Sequence, residues 1–118
     1  MQMLKPNVLR KKSDFTAIYN KGKSIGEKYV VLFFKKNNLD YNRTAFLASK
    51  KVGNSVLRNR ARRLMKESYR DLEQNLDSGY DLIWIARNTI CNLKCADVKK
   101  SMEAALKKSG IKRRRTDG

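Results

Sequence analysis

The chain has no histidine, one proline, one tryptophan, two cysteines and only 11 acidic residues among 118. Each scarcity excludes something. Without histidine, the commonest general base and the commonest metal ligand are both missing. Cys91 and Cys95 stand four apart, the spacing of neither a zinc knuckle nor a redox pair, and no other soft ligand supports them. They are read as reduced thiols at the start of a helix. The acidic residues show no ligand spacing: Asp14, Glu27 and Asp40 are scattered, and five more fall from Asp71 to Asp97. A protein nuclease needs a metal-binding carboxylate cluster or an acid–base pair containing histidine, so no residue is assigned a catalytic role and no metal is expected on the protein alone. No apolar run approaches the ~20 residues of a membrane span. The start, Met1-Gln-Met-Leu-Lys-Pro, lacks the apolar centre of a signal peptide. A cytoplasmic protein with no membrane partner is expected.

Positive charge is what abounds. Lysine and arginine number 28, for a formal net charge of +17. It is unevenly placed. Residues 1–28 carry +5, residues 29–42 +1, residues 43–70 +8, residues 71–98 −3 and residues 99–118 +6. A general solvating surface would mix signs throughout, so one face is specialised for a polyanion, with nucleic acid ahead of an anionic membrane surface. Apolar residues make up 41%, a little under the ~45–50% of ordinary domains. Self-repulsion therefore competes with burial, and an anionic partner would help the fold.

The length suits one domain. Residues 1–12 read as a flexible basic arm, 13–109 as the folded core and 110–118 as a disordered basic tail. Ser13 is the expected N-cap of a helix that Gly22 ends, with Phe15, Ile18 and Tyr19 on one face. Residues 28–35 and Arg43–Ser49 read as strands forming a hairpin across the loop 37–42. Gly53-Asn54-Ser55 then introduces a long helix, Val56 to Asn75. Tyr80–Arg87 is apolar enough to be a central strand. A last helix, Leu93 to Ser109, has Val98, Met102, Ala105 and Leu106 as its stripe, and Gly110 ends it. The order is helix, strand, strand, helix, strand, helix: an α+β domain with helices packed on one mixed sheet.

The long helix carries the strongest signal. At about 100° per residue from Arg58, the positions Leu57, Ala61, Leu64, Met65 and Ser68 fall between about 240° and 340°, while Arg58, Asn59, Arg62, Lys66, Arg70 and Arg63 fall between 0° and about 140°. A solvated helix surface would place acidic partners at i±4, because like charges at that spacing are destabilising. Only Glu67 is present. A column of Arg58, Arg62 and Lys66 accepts a repulsion that a polyanion relieves, and guanidinium groups favour bidentate phosphate contacts. Lys50 and Lys51 extend the patch.

The stretch Ser49-Lys-Lys-Val-Gly-Asn-Ser-Val-Leu-Arg-Asn-Arg-Ala-Arg-Arg-Leu64 resembles the arginine-rich signature of the bacterial ribonuclease P protein component. The similarity extends in order to Leu9-Arg-Lys-Lys-Ser-Asp-Phe15, Tyr19-Asn-Lys-Gly-Lys-Ser24 and Leu82-Ile-Trp-Ile-Ala-Arg87. Departures are Ser55 for the usual Ala, Arg62-Arg63 for Lys-Arg, Lys66 for Arg, and Asn88-Thr89 where a basic residue and a proline are usual. The resemblance implies that Arg58, Asn59, Arg60, Arg62, Arg63 and Lys66 contact a catalytic RNA. It implies that Phe15, Tyr19 and Phe33, with Lys50, Lys51 and Arg87 nearby, hold the single-stranded 5′ leader of precursor tRNA. It also implies a left-handed crossover between two parallel strands, against the usual rule. Hydrolysis would then belong to the RNA component and its magnesium, with no protein partner required.

Residue chemistry leaves alternatives open beside this. Aromatic pairs on one helical face are core residues more often than not, although aromatics beside Lys21 and Lys23 also suit stacking on unpaired bases. Phe33 and Phe34 must lie on opposite sheet faces. A structural, ribosomal-type RNA binder and a major-groove DNA binder are the rival readings. The second lacks a helix–turn–helix lead-in and an obvious dimer surface.

Overall fold

From Leu82 to Ala86 nearly every side chain is apolar, and such a strand is stable only with cover on both faces and partners on both edges. The computed structural model, which describes residues 7–90 and 94–111, meets both requirements. Three helices, α1 (Lys12–Lys21), α2 (Ser55–Glu73) and α3 (Cys95–Ser109), accompany four strands, β1 (Lys23–Gly26), β2 (Val30–Lys36), β3 (Arg43–Ala48) and β4 (Tyr80–Ala86). Short 3-10 turns follow β3 at Lys50–Val52 and β4 at Asn88–Ile90.

The sheet order is β1-β2-β4-β3. The expected hairpin between the second and third strands does not form, because β4 lies between them. It pairs antiparallel with β2, Leu32 opposite Trp84, and parallel with β3, Phe46 opposite Trp84. The segment 37–42 is a bracket rather than a tight turn. Asn37 accepts from the Leu39 amide and donates to Asp81, while Asn42 accepts from the Tyr80 amide and donates to the Asp77 carbonyl. These bonds hold the connection across the start of β4. The parallel pair β3 and β4 is joined by a crossover through α2.

α2 and α3 cover one face. There Trp84, Leu82 and Ala86 of β4 and Val30, Leu32 and Phe34 of β2 pack with Ala61, Met65, Tyr69 and Leu72 of α2 and Val98, Met102, Ala105 and Leu106 of α3. α1 lies on the opposite face, where Ile18 packs with Leu9, Ala45 and Ile83. Phe33 and Phe34 do part to opposite faces, Phe34 into the main core and Phe33 toward α1.

Several boundaries differ from expectation: β2 runs Val30–Lys36 rather than 28–35, and α2 runs Ser55–Glu73 rather than Val56 to Asn75. β1 is a strand that the sequence reading lacked; it pairs along the outer edge of β2 from Lys23–Phe34 to Gly26–Val31. Lys11, not Ser13, is the N-cap of α1, and lysine has no side-chain acceptor with which to cap it. α3 starts at Cys95, two residues later than expected. Elsewhere the local signals hold. Asn54 caps α2 by accepting from the Leu57 amide, and Gly110 ends α3 at φ 79°, a left-handed conformation that suits glycine.

Asn7–Leu9, within the segment read as an arm, run beside β3: the Leu9 amide donates to the Thr44 carbonyl and the Thr44 amide to the Asn7 carbonyl. Cys95 is a free thiol against the Ser68 hydroxyl. Cys91 and the basic run Lys112–Arg115 lie outside the described residues.

Candidate nucleic-acid interface

Helix α2 presents its buried side through Ala61, Met65, Ser68, Tyr69 and Leu72. On the same wheel these centre near 320°, about 30° from the arc that apolar spacing suggested. Tyr69 contributes to the rotation, together with the buried Leu72 and the half-burial of Leu57 and Leu64. The Tyr69 position falls among the charged residues, yet its ring is buried between Phe46 and Trp84, with centroids 5.7 and 6.0 Å away. Burial, with a smaller contribution from Glu73, pushes the Tyr69 hydroxyl pKa well above its ordinary value.

The rotation divides the basic residues. Asn59, Arg60, Arg63 and Lys66 are exposed, whereas Arg58 and Arg62 are half-buried along the margin of the core. The Arg58 Nε is buried with no hydrogen-bond partner among the described residues. Arg62 donates through Nη2 to Asn59 Oδ1, which fixes both side chains on the helix surface. No acidic residue pairs with any of these cations among the described residues. The recorded ion pairs join Arg43 to Asp14 and Asp81, Lys99 to Asp71, and Lys108 to Glu27.

On the other face of the sheet, Phe15, Tyr19 and Phe33 form one continuous aromatic row. The Phe15 and Tyr19 centroids are 6.5 Å apart, and Tyr19 stands edge-on to Phe33 at 5.0 Å. Ile18 between them is fully buried, so α1 is anchored by its aliphatic side chain and carries its aromatics beside the anchor. Phe15 and Phe33 are half-buried and Tyr19 is 41% exposed. Leu47 and Ile85, which local spacing did not single out, continue the partly covered apolar floor.

The remaining candidates sit at the Ala48–Ala86 end of the sheet. Lys50 and Lys51 follow β3, and Arg87 follows β4 one step beyond the Ala48–Ala86 pair. All three are exposed. Arg87 is steadied through Nη1 on the Glu27 carbonyl. Thr89, in the turn that departs from the family pattern, donates to the Lys28 carbonyl at 2.7 Å.

Arg43 was not foreseen. It forks onto Asp81, with Nε to Oδ1 at 2.8 Å and Nη2 to Oδ2 at 2.7 Å, and reaches Asp14 of α1 at 3.3 Å. The hydrogen bond to Asp81 raises the guanidinium pKa further, against the effect of burial. This cluster ties α1 to the sheet and so sets where Phe15 and Tyr19 stand. Its members are 29 and 38 residues apart in the chain, so no local pattern reveals it.

Fold and site together define a small cationic α+β protein, with three helices on a four-stranded mixed sheet, a basic helix on one face and an aromatic groove on the other. The family model for ribonuclease P matches residues 3–110. A ribonuclease P protein component from Clostridium botulinum is 44% identical over 109 residues, which cover 92% of this chain and 98% of the relative. The RNase P protein of Staphylococcus aureus superposes with a TM-score of 0.81 at 30% identity, covering 91% of this chain and 98% of that one. That of Thermotoga maritima gives 0.77 at 29% identity, covering 85% and 94%. The chain belongs to the ribonuclease P protein component family.

Proposed function

We propose that the protein is the subunit of a ribonuclease P ribonucleoprotein that removes the 5′ leader from precursor tRNA. In this reading α2 docks on the catalytic RNA through Arg58, Asn59, Arg60, Arg62, Arg63 and Lys66. The row Phe15, Tyr19 and Phe33 stacks on the unpaired leader, while Lys50, Lys51 and Arg87 contact its phosphates at the rim. Base–aromatic stacking tolerates every sequence, as a subunit serving many different leaders requires.

The observation that carries the proposal is the two-faced arrangement. Cations on α2 without acidic partners among the described residues, and a partly exposed aromatic row on α1 and β2, lie on opposite sides of one sheet, so one molecule can hold two RNA segments at once. Asp14 and Asp81 are committed to Arg43, and Glu27 and Asp71 to lysines. No three acidic or cysteine side chains cluster among the described residues. In this reading magnesium belongs to the RNA component. The protein contributes binding and charge relief.

Reconstitution with a bacterial ribonuclease P RNA tests this. The chain should raise precursor cleavage at low magnesium. Arg63→Gln with Lys66→Gln should reduce the salt dependence of RNA affinity by about 0.7–0.9 in log–log slope per lost contact. These two are exposed, which makes them cleaner probes than the half-buried Arg58 and Arg62. A chain that leaves cleavage unchanged, or equal stimulation of substrates with and without a leader, would assign it instead to structural RNA binding.

A further inference from the structure

Lys21 and Lys23, which local spacing placed beside the aromatics, line a separate cavity. It has a volume of about 300 Å³ and is open to solvent, between the end of α1, the outer ends of β1 and β2, the start of β4 and the end of α3. Lys35 and Lys36 of β2 complete a set of four lysines around it, with Tyr80 and Ser109 as the other polar side chains. No acidic residue lines it, and none of the four lysines is in an ion pair among the described residues. The floor is rigid. Gly22 lies so close to the carbonyls of Ile18 and Phe34 that a β-carbon there would sit 2.5 and 2.6 Å from their oxygens.

The bland account is that Lys21 offsets the C-terminal dipole of α1. α1 and α3 both end at this cavity, and each helix end presents about half a negative charge. Four ammonium groups exceed that several-fold. Among the described residues none of the four lysines has a carboxylate partner, and only Lys35 is tethered, its Nζ donating to the Lys36 carbonyl.

We infer that this cavity is a second phosphate-binding site, independent of the α2 face and of the aromatic groove. Lysines engage phosphate as mobile point charges without the planar fork of arginine, so the site holds a phosphate group and reads no base. The cavity lies at the Lys36–Tyr80 end of the sheet, whereas Lys50, Lys51 and Arg87 lie at the Ala48–Ala86 end. Six strand steps of ~3.3 Å separate the ends by about 20 Å. That is too far for a single nucleotide to bridge and within reach of one RNA chain or of two segments of a folded RNA.

The RNA source of the phosphate rests on the proposed function; the anion chemistry does not. Titrating the full chain with inorganic phosphate at constant ionic strength, and following backbone amides by NMR, reads the site directly. Gly22, Lys23 and Tyr80 should shift in the unmodified protein and stay still in Lys23→Gln with Lys35→Gln. Affinity for ribonuclease P RNA is then measured across salt for that variant and for a charge-matched control, Lys100→Gln with Lys107→Gln. A slope shallower by about 1.4–1.8 for the cavity variant, with the control unchanged, identifies RNA as the source. Phosphate-induced shifts without a slope change support the site with free phosphate as its ligand. No shift around Gly22 and Tyr80, with equal slopes for cavity variant and control, overturns the inference. The Arg63→Gln, Lys66→Gln variant in the same series reports on α2 separately, so the failure of one reading is not mistaken for the failure of the other.

Discussion

Neighbouring residues on α1 make opposite forecasts, and Tyr19 is the place to test them. Ile18 is 1% exposed and Tyr19 41% exposed. Full burial of a large apolar side chain stabilises by roughly 1.5–3 kcal/mol, so the three-fifths burial of Tyr19 contributes about 1–2 kcal/mol, as an upper bound. Its edge contact with Phe33 adds about 0.5–1.5 kcal/mol. Tyr19→Ala should therefore cost about 2 kcal/mol and leave the protein folded. Ile18→Ala, which empties a packed site, should cost about 2–5 kcal/mol. Leader binding should sort the other way. A base stacked on Tyr19 is worth roughly 1–3 kcal/mol, or about 5- to 150-fold in affinity. The reconstituted holoenzyme carrying Tyr19→Ala should lose that factor for precursor tRNA and little for mature tRNA. Tyr19→Phe keeps the ring and should restore precursor affinity to within about twofold. Phe15 is less decisive because it packs on the Leu9–Ile18 cluster, so its removal mixes stacking with stability. Thermal melts and paired titrations supply both readings. Equal losses for precursor and mature tRNA, or a Tyr19→Ala melt as low as that of Ile18→Ala, would return Tyr19 to a purely structural role.

Three further outcomes follow from the packing. Asp81→Ala removes both oxygens of the Arg43 fork; breaking a buried pair costs about 3–5 kcal/mol, and the nearby Asp14 reduces this to about 2–4 kcal/mol in a denaturant titration, with Asp81→Asn losing less. Burial raises the Tyr69 pKa above its ordinary 10.0, so the stability it contributes is complete below pH 10 and falls as pH rises, because the unfolded chain ionises first; Tyr69→Phe should flatten that alkaline decline and, having lost a hydroxyl with no hydrogen-bond partner among the described residues, should match or exceed the unmodified protein at pH 8. Gly22→Ala forces a β-carbon onto two backbone oxygens that cannot swing aside, which should lower stability by about 1–3 kcal/mol and, if the cavity beside it opens, perturb the amides of Lys23 and Tyr80.

What the sequence disclosed and what it withheld divide along a physical line. Signals carried by neighbours in the chain were legible: the Gly110 stop, the Asn54 cap, the parting of Phe33 from Phe34, and the concentration of arginine on α2. β4 was legible as central because an apolar run on successive positions has no exposed face to offer. Features that depend on pairing at a distance were not. Lys23-Ser-Ile-Gly26 has one large apolar side chain and forms a strand because β2 has a free edge beside it. The hairpin rule for consecutive strands failed because β4 takes both edges that β2 and β3 would have shared, an outcome decided 40 residues further along the chain. Tyr69 sits in a charged arc by angle, yet Phe46 and Trp84 make a pocket for its ring, and that side chain extends the buried face of the helix toward the arginines.

The same distinction governs the site. Charge alone points to a polyanion but not to how many surfaces would meet it. That number is set by the crossover from β3 through α2 to β4, which puts the arginines behind the sheet, and by the Arg43–Asp14 bond, which holds α1 and its aromatics in front. A basic helix without this topology would be a sticky surface. With it, the cations on α2 and the rings on α1 are separated by the thickness of the sheet, so an RNA bound behind leaves the groove in front open to a second strand. Arg43→Lys keeps the charge and loses the fork. It should therefore weaken leader discrimination while affinity for the catalytic RNA alone is preserved; equal loss of both would show that the two faces are not independent.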